Sequence, residues 1–217
     1  MDDEKILKRD LFGEIRLAWA NGEGIVIRDT RCAPWWTRWL ARRLLLREAR
    51  SLAALDGIDG VPALLSRERD ELRRSYIEGQ PLHVARPGDA AWFAAAARLL
   101  RRLHRAGVCH NDLAKEPNLL VRDNGAPGII DFQLAWYSRS RSRLFRIAAY
   151  EDIRHLLKHK RSYRPDLLTV RERRILANPS PASRLFRGTV KPIYLFVTRR
   201  LLGWSDREGA GDRNARN

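Results

Sequence analysis

Cysteine, methionine and lysine are all scarce in this chain, with two, one and six copies among 217 residues. Cys32 and Cys109 have no metal-ligand spacing and form no framework, which excludes a zinc ribbon or a disulfide-stapled scaffold. Two free thiols in a reducing compartment are the expectation. No apolar run is long enough to span a bilayer: the most apolar stretches, 90–100 and 193–197, are too short or are interrupted by arginine. The opening residues, MDDEK, are acidic and show no signal-peptide pattern. Internal repeats and low-complexity segments are also missing. These absences lead us to expect a cytoplasmic protein, either free or peripheral on the cytoplasmic face of the membrane.

What the chain does have is enough apolar residue, 44%, to build a real core. It also has a large excess of arginine. The formal charge is +16, and 36 of the 42 basic residues are arginine, the better fork for phosphate and carboxylate. Residues 1–80 carry 15 basic and 14 acidic side chains, whereas 134–204 carry 17 and 4. The basic charge therefore belongs to the later part of the chain and favours an anionic partner.

The pattern along the chain is strand-rich first and helix-rich later. Two strands are expected between 11 and 28, joined at Asn21-Gly22. A long helix follows Pro34 to about Leu55, then strands near 62–67 and 71–77, and a hinge at Gly79-Gln80-Pro81. Next come a helix over 89–105 with Asp89 as its cap and Gly107 as its stop, and a short hairpin (118–121 and 128–132) around Asp123-Asn124-Gly125. Helices over 144–159, 166–177 and 182–204 complete the chain. This is an α+β order and not repeated βαβ units.

The chemistry concentrates in His110-Asn111-Asp112-Leu113-Ala114-Lys115-Glu116-Pro117-Asn118, followed by Ile129-Ile130-Asp131-Phe132-Gln133. Phosphoryl transfer needs one carboxylate beside the attacking hydroxyl and more oxygen ligands for the metal on the phosphates. A tight hairpin between two carboxylates holds them at a fixed separation. Here the chain resembles protein kinases, whose signatures are HRD with a downstream Asn, an apolar strand and DFG. The resemblance implies a minimal two-lobed protein-kinase-like fold, with residues 1–80 as a β-rich N-lobe and 81–217 as a helical C-lobe. It implies ATP and Mg2+, with Asp112 as catalytic base, Asp131 and Asn118 as metal ligands, His110 as a brace and Lys115 near the transferred phosphate. It also implies that Arg28 grips the nucleotide phosphates and pairs with Glu48 on the next helix. Glu78 and Gly79 would then offer backbone groups to adenine.

Four features depart from ordinary eukaryotic kinases. Arg28 stands where they carry lysine. The glycine-rich phosphate loop is missing, with only Gly13 in its place. Asn118 lies six residues after Asp112 instead of five, so a one-residue bulge is expected. Gln133 replaces the last glycine of DFG, and no A-P-E segment follows. The chain is closer to short bacterial kinases of the RIO type and of the lipopolysaccharide core, which act on proteins or on Kdo and heptose sugars. That resemblance implies an acceptor that is a protein Ser/Thr or a phosphorylated glycolipid. A kinase-like nucleotide-binding module with little catalysis is the alternative. Specific nucleic-acid binding has only the net charge in its favour, with no helix-turn-helix, zinc or RNA-binding signature.

Two further stretches have double readings. Arg139, Arg141, Arg143 and Arg146, with Arg154, Lys158, Lys160, Arg161 and Arg164, form either a funnel for an anionic acceptor or a solvated basic face. Trp35, Trp36 and Trp39 among arginines read as core packing or as an interfacial helix.

Overall fold

A computed structural model of the chain describes residues 4–178, and the helix expected over 182–204 lies outside them. Three strands open the chain where two were expected: β1 (Lys5–Asp10), β2 (Gly13–Ala20) and β3 (Glu23–Asp29). β1 is almost wholly exposed and dominated by charge, which hides it from pattern reading and is how proteins blunt an edge strand. β2 and β3 meet at Asn21-Gly22, both left-handed (φ 52° and 81°), as the tight hairpin required.

Helix α1 (Trp35–Ala54) starts after Pro34 and crosses to β4 (Leu64–Arg67) and β5 (Glu71–Ser75). The five strands form one antiparallel sheet in the order β1-β2-β3-β5-β4. α1 buries Ala41, Leu45, Ala49 and Leu52, a spacing of one helical face. Leu45 and Ala49 pack on Leu72 of β5, but Leu52 and Leu55 enter the core of the helical part, beside residues such as Leu100, Phe132 and Leu156. One helix thus belongs to both halves of the molecule.

The chain then passes through Gly79 into β6 (Gln80–Pro81), α2 (Leu82–Ala85) and α3 (Ala90–Arg105). A Cβ at residue 79 would sit 2.8 Å from the Val121 carbonyl oxygen, so only glycine lets the two backbones approach this closely. The Asp89 carboxylate caps α3 by accepting from the Ala91 N–H at 2.8 Å. α3 buries Trp92, Phe93, Ala96, Leu99, Leu100 and Leu103 against the helical core. After β7 (Val108–Cys109), the expected hairpin forms from β8 (Leu119–Val121) and β9 (Pro127–Ile129), with Leu119 opposite Ile129. β8 also pairs with β6. β10 (Trp136–Tyr137) pairs with β7, and α4 (Arg143–Tyr163) and α5 (Val170–Ala177) follow. α5 starts later than expected because residues 165–167 form a 3-10 turn and Thr169 starts the helix with a capping box. Cys32 is exposed, Cys109 is buried, and both are free thiols.

The architecture is α+β, a sheet-rich N-terminal region followed by a helical part. The shared role of α1 has a measurable consequence. Leu52→Ala should cost about 2–5 kcal/mol in urea unfolding, as buried leucine truncations do. Trp35→Ala on the same helix should cost no more than about 0.5 kcal/mol, because that indole is exposed.

Candidate active site

The site is built around His110, which is fully buried. Its Nε2 lies 2.9 Å from the Ile130 carbonyl oxygen, and its Nδ1 lies 3.3 Å from the Asp112 backbone nitrogen. A carbonyl can only accept and an N–H can only donate, so the tautomer with its proton on Nε2 satisfies both contacts. One ring therefore ties the loop bearing Asp112 to the residue before Asp131. Phe132 packs edge-on against it, with ring centroids 4.9 Å apart.

Below the ring, the Asp152 carboxylate of α4 accepts from the backbone N–H groups of His110 (2.7 Å) and Asn111 (2.9 Å). Its Oδ2 also lies 3.2 Å from His104 Nε2. Backbone strain sits at the same place. Asn111 and Asp131 both adopt left-handed conformations (φ 63° and 65°), two of the four non-glycine residues that do so among the described residues. Asn and Asp tolerate this conformation best among non-glycine residues, and such outliers mark places where a side chain is being aimed.

Burial raises the Asp112 pKa above its ordinary value; Lys115 lowers it, and the charge of Asp131 adds to the rise. Lys115 Nζ lies 3.1 Å from Asp112 Oδ2. Asn118 Nδ2 donates to the Asp112 backbone oxygen at 2.9 Å and to its Oδ2 at 3.2 Å, which leaves the amide oxygen as the group to offer a cation. The extra residue between Asp112 and Asn118 is taken up by the 3-10 turn Glu116–Asn118, so the expected bulge is a turn. Glu116 points inward, and its Oε2 accepts from Tyr163 Oη at 2.5 Å. His159 Nε2 lies 2.7 Å from the Leu113 carbonyl.

In the sheet, Arg28 and Glu48 form the pair expected of them, Nη1 to Oε2 at 3.3 Å, with both side chains buried. A second cation shares the carboxylate: Arg74 Nε reaches Glu48 Oε1 at 3.1 Å. Arg28 Nε has no partner. The phosphate-covering loop is replaced by the two-residue turn Leu11-Phe12 between β1 and β2. Gly13, just after that turn, lies so close to the end of β3 that a Cβ would clash with the Asp29 carbonyl oxygen. Glu78 is exposed and, with Tyr76, Ile77, Arg122, Asp123 and Asn124, lines a pocket of about 240 Å³. Neither Asp112 nor Asp131 lines that pocket, so it is separate from the carboxylate pair.

Sequence reasoning missed Asp152, Arg74 and the Glu116–Tyr163 contact. Asp152 carried a signal: it shares one α4 face with Phe145, Leu156 and His159, and an acid on an apolar stripe needs buried donors. His104, Cys109 and Asp152 have ligand atoms within 4.8 Å of one another. Both Asp152 oxygens are nevertheless committed to N–H donors, and burial pushes the Cys109 thiol up, against thiolate formation. Much of the basic stretch is structural: Arg154 binds the carbonyls of Ile175 and Leu176, Lys160 pairs with Glu172, and Arg164 pairs with Asp166. Arg139, Arg143 and Arg146 remain exposed. The core-packing reading of the tryptophans is overturned, since Trp35, Trp36 and Trp39 are all exposed.

A sheet with a buried cation–Glu pair, a glycine crossing into helices, and two carboxylate-bearing segments tied through a buried histidine make up a protein-kinase-like fold. Residues 34–138 match the phosphotransferase enzyme family (APH), just under half of the chain. Two solved structures of the Rio2 kinase from Chaetomium thermophilum share the fold. One, an ADP/Mg2+-phosphoaspartate complex, has a TM-score of 0.55 and 19% identity over 77% of this chain. The other has a TM-score of 0.59 and 18% identity over 82%. The chain spans 55% and 60% of the length of those two kinase chains. No curated protein matches the sequence. The chain has a protein-kinase-like fold similar to that of the Rio2 kinase, and residues 34–138 resemble the phosphotransferase enzyme family.

Two stability measurements check this geometry. Asp152→Ala strands the buried His110 N–H donor, at about 1–3 kcal/mol, and should lower stability accordingly in urea unfolding. Asp112→Asn should do the reverse. A carboxyl whose folded pKa lies above its unfolded one costs stability as pH rises through that folded value. The amide should therefore raise the melting temperature at neutral pH, and the gain should vanish as pH falls below the ordinary carboxylate range.

Proposed function

We propose that this protein is an ATP-dependent phosphotransferase that uses Mg2+ and transfers phosphate to a hydroxyl group. The observation that carries the reading is the tie through His110 between the backbone segments that bear Asp112 and Asp131. The Asp131 carboxylate has no ion-pair partner among the described residues, and with the Asn118 amide oxygen it forms the hard-oxygen donor set that suits magnesium. Magnesium held there would neutralise charge on the phosphates.

The residues then divide the work. Asp112 orients the acceptor hydroxyl and takes its proton as the acceptor oxygen bonds to the γ-phosphorus and the bond to the ADP oxygen breaks. Its raised pKa makes it a better base than an exposed aspartate. Lys115 stands beside Asp112 to meet negative charge on the transferring group. Glu48 orients the Arg28 guanidinium, whose unpartnered Nε is a buried donor in the place where kinases hold the nucleotide phosphates. The crossing at Glu78 and Gly79 offers backbone groups to adenine, with 1–80 and 81–217 as the two lobes. Exposed Arg139, Arg143 and Arg146 favour an anionic acceptor, either a protein Ser/Thr in an acidic context or a phosphorylated glycolipid sugar.

A second reading rests on one observation. The two-residue Leu11-Phe12 turn leaves little backbone to fold over the phosphates, which favours a nucleotide-binding module with slow chemistry.

The test is incubation with γ-labelled ATP, magnesium and separated envelope and cytosol fractions. We expect one fraction to gain label, and both Asp112→Asn and Asp131→Asn to lower transfer by about 100-fold or more. Thermal stabilisation by ATP and magnesium without any transfer selects the second reading. Equal transfer by the parent and both variants contradicts the first.

A further inference from the structure

The N-terminal half of α1 presents an unusual surface. Trp35, Trp36 and Trp39 are 84%, 48% and 59% exposed, and Leu40 is 36% exposed. Arg43 and Arg50 continue the exposed face. The helix carries a single carboxylate, Glu48, which is buried between Arg28 and Arg74, so the outer face is free of negative charge. The indoles project from a fixed support. Thr37 Oγ1 donates to the Leu11 carbonyl at 2.6 Å, and the Arg38 guanidinium holds the carbonyls of Arg31 and Ala33 at 3.0 Å.

We propose that this face docks on an anionic lipid surface, with the indoles in the headgroup layer and the arginines on lipid phosphates. Tryptophan suits the boundary between water and hydrocarbon, and arginine is drawn to anionic headgroups. Charge argues against the other occupants. Residues 179–217 hold eight basic and three acidic side chains, and a second copy would bring arginine against arginine. Single-stranded nucleic acid is held by aromatics spaced along a basic groove, whereas this face is a convex helix. The docking does not depend on phosphotransfer.

The test uses the full chain and flotation with vesicles of phosphatidylglycerol and phosphatidylcholine, or of phosphatidylcholine alone. The parent protein should float with the anionic vesicles, and its tryptophan fluorescence should be quenched by brominated lipid. The triple variant Trp35→Ser, Trp36→Ser, Trp39→Ser keeps every arginine and should keep its melting temperature, because it changes only exposed side chains. Its bound fraction should fall by about tenfold, and the quenching should disappear. Asp112→Asn should float like the parent, which separates this result from the fate of the catalytic reading. Equal flotation of parent and triple variant overturns the proposal, as does flotation without quenching. Failure of the parent to bind anionic vesicles also overturns it, including when the triple variant abolishes self-association or binding to a single-stranded RNA oligonucleotide.

Discussion

The His110 ring and the Asp152 carboxylate beneath it hold the site together. Asp152 gathers the backbone of His110 and Asn111, and the ring spans from the Asp112 N–H to the Ile130 carbonyl. His110 and Asp152 are buried, so the bond between the His110 N–H and the Asp152 carboxylate is made in a low-dielectric interior, where it is stronger and where losing it is costly. The left-handed turns at Asn111 and Asp131 persist because this knot fixes the backbone on both sides of each. Without it, the two carboxylates would have no common reference.

A second set of charges does similar work in the sheet. Glu48 is nearly inaccessible and lies between two guanidinium groups. A buried carboxylate with one cation would be only partly compensated. Arg74 supplies the second, which allows Arg28 to keep its Nε uncommitted. Because α1 and the residue that caps it also send Leu52 and Leu55 into the helical core, which includes Phe132, the position of Glu48 is linked mechanically to the site. The outer side of the same helix, with its three indoles, is the part of the molecule least explained by folding alone.

The parts of the fold set by local rules were legible in the sequence. Asn21-Gly22 and Asp123-Asn124-Gly125 specify turns that form, Asp89 caps the helix it was expected to cap, and Gly79 is required where the chain crosses. The ordered pattern from His110 to Asp131 marked the two segments that His110 ties together, and the spacing from Arg28 to Glu48 anticipated an ion pair. What was not legible depended on distant packing. β1 has no apolar face to reveal it. Asp152 lies 42 residues after its partner His110, and Arg74 comes from a strand whose pairing with β3 decides its neighbours. The six-residue spacing to Asn118 could be resolved only once the turn at Glu116 and its contact with Tyr163 were seen. The tryptophans failed as a core prediction because α1 buries the face opposite most of them.

The central claim is that the Asp112 and Asp131 side chains face one metal–nucleotide from two sides. A crystal structure with a non-hydrolysable ATP analogue and Mn2+, located by its anomalous signal, tests it most directly. The account predicts the cation on Asp131 and Asn118 oxygens at about 2.0–2.3 Å, with the terminal phosphate turned toward Asp112. A cation bound elsewhere, or a terminal phosphate pointing away from Asp112, would contradict it.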